Sequence, residues 1–114
     1  MSQSLSVWYL FVLVLPLAES SLAGHPAMLH CGQHPVKPVS WTCRHSPDSS
    51  VQKIITKGMV VSDFAGKFSV RNSSLIINTA EAYDDGTYNC TDAAGDLRSI
   101  QLTILGKVYD QYMY

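Results

Sequence analysis

The run Asp84-Asp85-Gly86-Thr87-Tyr88-Asn89-Cys90 restricts what this 114-residue chain can fold into more than any other stretch. Gly86 supplies a permissive backbone for a turn. In the extended residues after it Tyr88 and Cys90 fall on one face and Asn89 on the other. Cys31 and then Trp41 stand upstream, completing the order Cys, Trp, Cys. The same period of two marks further strands. Ala27, Leu29 and Cys31 share a face, as do Val39, Trp41 and Cys43, so Trp41 points at the same interior as Cys31. Two short β-branched runs, Val51 to Thr56 and Met59 to Ser62, meet at Lys57-Gly58. Phe68 and Val70, Leu75 and Ile77, and Ile100, Leu102 and Ile104 face inward along three more strands. Gly32 to Pro38, Ser46 to Ser50, Arg71 to Ser74 and Ala93 to Asp96 are turn-rich connections, and Thr79 to Tyr83 is a brief turn of at most one helical turn. Short strands with turn signals about every ten residues are the pattern of an all-β sandwich.

With that Cys, Trp, Cys order and a Tyr two residues before the second cysteine, the chain resembles the immunoglobulin superfamily, and within it the variable-type domains. The resemblance implies an immunoglobulin-like β-sandwich of two antiparallel sheets in a Greek key, with a disulfide between Cys31 and Cys90. It implies a core containing Trp41, Leu75, Ile77 and Tyr88, and a corner at which the Tyr88 hydroxyl bonds back to the backbone. The runs around Lys57-Gly58 match the extra edge strands of the variable type. Such domains carry a Gly-Arg-Phe-Ser segment similar to Gly66-Lys67-Phe68-Ser69, whose basic residue pairs with the Asp of the corner motif. Lys67 and Asp84 match those positions, and the pair is expected to be a surface bridge worth about 0–1 kcal/mol. A Cys31–Cys90 bridge would contribute about 4 kcal/mol for a loop of this length. Between Ser99 and Leu105 the Phe-Gly-x-Gly bulge of rearranged domains is missing, so the chain looks like a fixed member of the superfamily.

The apolar run Val7 to Ala18, broken by Pro16, leads to the small residues Ser21-Leu22-Ala23-Gly24. This pattern is expected to be a secretory signal cut near Ala23 or Gly24, although no Lys or Arg precedes the run. A membrane anchor is the alternative, and the run falls short of the about 20 apolar residues a span needs. The expected organisation is a signal peptide over 1–23, one variable-type domain over 24–106 and a short tail over 107–114. The chain carries eight basic and nine acidic residues. Removing the leader takes away only Glu19 and leaves a neutral domain, which argues against nucleic acid as a partner. No second apolar run offers a membrane span.

Chemistry is sparse. Cys31, His34, Cys43 and His45 are the only grouping with metal-like spacing, but an oxidising secretory route favours disulfides over thiolate zinc ligands. No nucleophile with a base, phosphate-cradling loop or carboxylate pair stands out, so no enzyme, small-molecule substrate, cofactor or metal is expected. Cys43 is left over. Its place two residues beyond Trp41 favours a buried unpaired thiol, and an intermolecular bridge in a dimer is the alternative. Asn72-Ser73-Ser74 and Asn89-Cys90-Thr91 are glycosylation acceptors. A glycan on Asn89 would obstruct sheet-to-sheet contact.

The expected function, implied by the resemblance, is a secreted or extracellular domain that binds a protein ligand or receptor in immune recognition or cell adhesion. Candidate contacts lie in three loops: Gln33, His34 and Lys37 in the first, Lys57 in the second, and Asp92 and Asp96 in the third. A soluble splice form or regulatory subunit of a membrane-bound receptor, and an obligate partner chain in a dimer, are the alternatives.

Overall fold

The computed structural model describes residues 17–31, 38–72, 74–92, 95 and 97–106. Among these residues nine strands lie in two sheets: β1 (Leu17–Leu22), β2 (Ala27–His30), β3 (Pro38–Arg44), β4 (Gln52–Thr56), β5 (Met59–Val60), β6 (Phe68–Arg71), β7 (Ser74–Ile77), β8 (Gly86–Asp92) and β9 (Leu97–Leu105). Single 3₁₀ turns, Ser62–Phe64 and Ala82–Asp84, are the helical pieces among the described residues. One sheet runs β1-β9-β8-β3-β4-β5 and the other β2-β7-β6. All pairs are antiparallel except β1 with β9. The architecture is all-β and compatible with an immunoglobulin-like sandwich.

Alternation places the core between the sheets. Ala27, Leu29 and Cys31 from one side and Trp41, Cys43, Tyr88, Cys90, Ile100, Leu102 and Ile104 from the other are buried in a single cluster with Leu75 and Ile77. Val70 is half-buried against it, and the side chain of Val39 lies outside the described residues. Cys31, directly after β2, is bridged to Cys90 in β8 with Cα atoms 6.0 Å apart. Trp41 lies opposite Cys90 in the β3–β8 ladder, so indole and bridge belong to the same layer.

Two features depart from simple alternation. Ile54 and Ile55 are consecutive and both buried. A register shift between β3 and β4, where Trp41 faces Ile55 and Thr42 faces Lys53, leaves Ile54 as an extra residue, and a β-bulge of this kind turns a second side chain inward. Further on, the strand expected over Met59 to Ser62 ends at Val60, because Ser62–Phe64 closes into a 3₁₀ turn.

The β4–β5 connection is a two-residue turn in which Lys57 (φ 54) and Gly58 (φ 77) both occupy the left-handed region. That conformation suits the right-handed twist of a hairpin, but a lysine adopts it only at a cost. Lys57→Gly is expected to leave stability unchanged or to raise it by about 0.5–1 kcal/mol, read as the midpoint of urea unfolding. Asn72 (φ 55) occupies the same region in the tight β6–β7 turn, where Arg71 faces Ser74.

Residues 17–22, which the sequence pattern assigns to the leader, pair in the full chain with β9 residue by residue, from Leu17 opposite Ile100 to Leu22 opposite Leu105. The expected tail, 107–114, and residues 1–16 lie outside the described residues. Among the described residues no helix is long and apolar enough to cross a membrane.

Candidate functional site

The corner before β8 is held by four side chains. Tyr88, wholly buried, donates its hydroxyl to the carbonyl of Asp84 at 2.7 Å. Asp84 Oδ2 accepts the backbone N–H of Glu81 and the Nζ of Lys67, each at 2.8 Å. Lys67 also donates to the Thr79 carbonyl at 3.1 Å and lies 4.9 Å from the centre of the Tyr83 ring. Asp85 ties the same corner to the last strand, its Oδ1 accepting the N–H of Ile104 at 2.6 Å.

The Lys67–Asp84 pair is not the surface bridge expected from the sequence. The Asp84 side chain is 2% exposed and that of Lys67 21%. Removing the lysine leaves a buried carboxylate with one backbone donor in place of a charged partner, so Lys67→Met is expected to cost about 2 kcal/mol. Partial burial pulls the Lys67 ammonium pKa down, but the hydrogen bond and charge of Asp84 outweigh it and leave the pKa raised.

Cys43 faces the same corner from β3, opposite Tyr88. Burial pushes its thiol from 9.0 up to about 11, against a lowering hydrogen bond with Tyr88 and with a further rise from the charge of Asp84. Burial, then the neighbouring thiol, also raises the Tyr88 phenol. The thiol is therefore protonated at neutral pH, and thiolate chemistry is closed to it. His45 lies 3.8 Å away through Nδ1, which donates to the Asp85 carbonyl at 3.0 Å. Of the grouping with metal-like spacing, Cys31 is taken by the disulfide, and His34 lies outside the described residues.

Folded pKa values above the unfolded ones give both Cys43 and Lys67 a stabilising effect that is complete below their unfolded pKa values and is lost as pH rises. Stability is expected to fall between pH 9.0 and about 11 as the unfolded thiol ionises first. Cys43→Ala should flatten that part of the curve, measured as the free energy of unfolding against pH.

The outer face of the larger sheet is polar. Thr42 and Arg44 in β3, Thr87, Asn89 and Thr91 in β8 and Ser99, Gln101 and Thr103 in β9 alternate with the buried set, and Thr87 donates to Gln101 Oε1 at 2.7 Å. An open cleft of about 520 Å³ crosses this face, lined by Arg44, His45, Pro47, Val51, Thr87 and Asn89. The Asn89 acceptor thus lies on the outer face, half-buried, in a strand paired on both sides. Asn72 is exposed on its hairpin, while the third residue of its acceptor, Ser74, is buried and 2.6 Å from His30 Nδ1.

Pro38 faces Asp92, so the start of β3 lies beside the end of β8, and Ser40 faces Thr56, which sets the Lys57-Gly58 turn at the same end. Of the candidate residues there, Lys57 is exposed and Asp92 half-exposed. Gln33, His34, Lys37 and Asp96 lie outside the described residues. Met59, 73% exposed, lies in the immediate flank of the Lys57-Gly58 turn and belongs to that candidate contact region. No family model matches the chain, and no curated protein matches it.

Proposed function

We propose that this chain is a secreted immunoglobulin-like domain of the variable type, a Greek-key sandwich that binds another protein in immune recognition or cell adhesion. The strand order supports the type. A β9-β8-β3 sheet extended by β4 and β5 and set against β2-β7-β6 corresponds to the layout in which variable domains add two strands to one sheet. The tyrosine corner supports the family. From fold to binding is a further step, because a fold hosts many functions.

The observation that carries the binding reading is the tip Lys57-Gly58-Met59. A lysine held in the left-handed region next to an exposed methionine keeps a conformational cost and an apolar surface at the end of the sheet where β3 starts and β8 ends. Retained strain of this kind concentrates at functional positions. The test is staining of a panel of cell types with the labelled, secreted domain. The double variant Lys57→Glu, Met59→Ser is expected to bind at least about tenfold more weakly, while Thr42→Arg on the sheet face leaves binding intact. The reverse pattern would move recognition to the sheet, and staining of no cell type would remove the reading.

A further inference from the structure

We infer that removal of residues 1–23 uncovers β9, and that a second copy of this chain then fills the open edge by antiparallel β9–β9 pairing. The inference rests on the reading of those residues as a leader cut at Ala23.

In the full chain β1 covers that edge from Ile100 to Leu105. Ala23 donates its N–H to the Leu105 carbonyl at 2.8 Å, so Leu105 turns its backbone groups toward β1. Ile104 turns its N–H the other way, to Asp85. Since backbone groups alternate along a strand, Leu97, Ser99, Gln101, Thr103 and Leu105 all aim N–H and C=O at the edge β1 occupies. Without β1 these groups form a nine-residue edge strand lacking the usual protection. β9 contains no proline and a single charge, Arg98, where natural edges carry prolines, several charges or bulges.

The strand is complementary to itself. A two-fold axis through Gln101 sets Leu97 opposite the other copy's Leu105 and Ser99 opposite its Thr103, and each of these residues is one whose backbone faces the edge. Leu97 and Leu105 are 66% and 47% exposed, and the pairing covers both, twice over. A sheet continued in this way leaves the Asn89 face free, so a glycan there does not oppose it, whereas stacking of two outer faces would bury the glycan and the polar residues around it.

The test is expression of the full sequence in a secretory host, with the N-terminus of the product read by intact mass after deglycosylation and its association by sedimentation. A product beginning at Gly24 that is dimeric, that remains so as Cys43→Ala, and that dissociates on the order of tenfold more readily or beyond as Leu97→Lys, Leu105→Lys is the expected result. Both leucines are exposed, so the double variant should fold as the parent does. A monomer beginning at Gly24 overturns the pairing and leaves the leader reading standing. An N-terminus upstream of Gly24 overturns the leader boundary, and with it the inference. A dimer that survives both lysines, or that disappears as Cys43→Ala, overturns it as well.

Discussion

Gly86→Ala is expected to cost about 3 kcal/mol or more, a large effect for one methyl group. A Cβ on Gly86 would sit 2.5 Å from the Arg44 carbonyl oxygen, 3.0 Å from His45 Cα and 3.2 Å from the Arg44 carbonyl carbon. All three atoms are backbone, so no rotamer change relieves the contact. They belong to the last residue of β3 and the one after it, and β3 pairs with β8 at the neighbouring Arg44–Thr87 position. Relief therefore means moving the two central strands apart beside the corner that Tyr88 and Asp84 hold together. Overpacking of a tight site costs about 1–3 kcal/mol and at times more, and the glycine's φ of 154° adds strain. Gly66→Ala is the control. It has a positive φ of 87° but no atom within 4 Å of the new methyl, so it should cost only about 1 kcal/mol. Urea unfolding of the two variants compares them directly.

Loss of the Cys31–Cys90 bridge is expected to be larger still. The cysteines are 59 residues apart, and constraint of an unfolded loop of that length stabilises by about 4 kcal/mol, out of the roughly 5–15 kcal/mol typical of a domain. The double variant Cys31→Ala, Cys90→Ala should melt on the order of 20 °C lower or fail to fold. Cys43→Ala, which removes a buried sulfur but no cross-link, should cost about 1 kcal/mol. Equal effects from the two changes would mean that the bridge contributes little beyond packing.

Much of this fold was legible because strands state their inward face locally. The alternations Ala27-Leu29-Cys31 and Ile100-Leu102-Ile104 needed no knowledge of their neighbours, and a Tyr two residues before a Cys marked the corner. What stayed hidden depends on partners far along the chain. The six residues of β1 are mostly small or polar and mostly exposed, and their place comes from parallel pairing with β9. The burial of both Ile54 and Ile55 follows from a bulge against β3 that no local pattern records. Lys67 and Asp84 were recognisable as a pair, but not as a sheltered one, since the shelter includes Tyr83 and the Thr79 carbonyl. Of the candidate contact surface, the loops could be named from turn residues, and the place of the Lys57-Gly58 turn beside the start of β3 and the end of β8 emerged only from the ladder registers.

The central claim is that a single cross-sheet disulfide closes the core and leaves one sealed thiol beside it. Peptide mapping of the purified protein under non-reducing conditions, with thiol labelling before and after denaturation, tests this most directly. The expected result is a peptide pair joined through Cys31 and Cys90, with label entering Cys43 only once the protein is unfolded. Cys43 found in a bridge to either of the other two cysteines, or labelled in the native protein, would contradict the account.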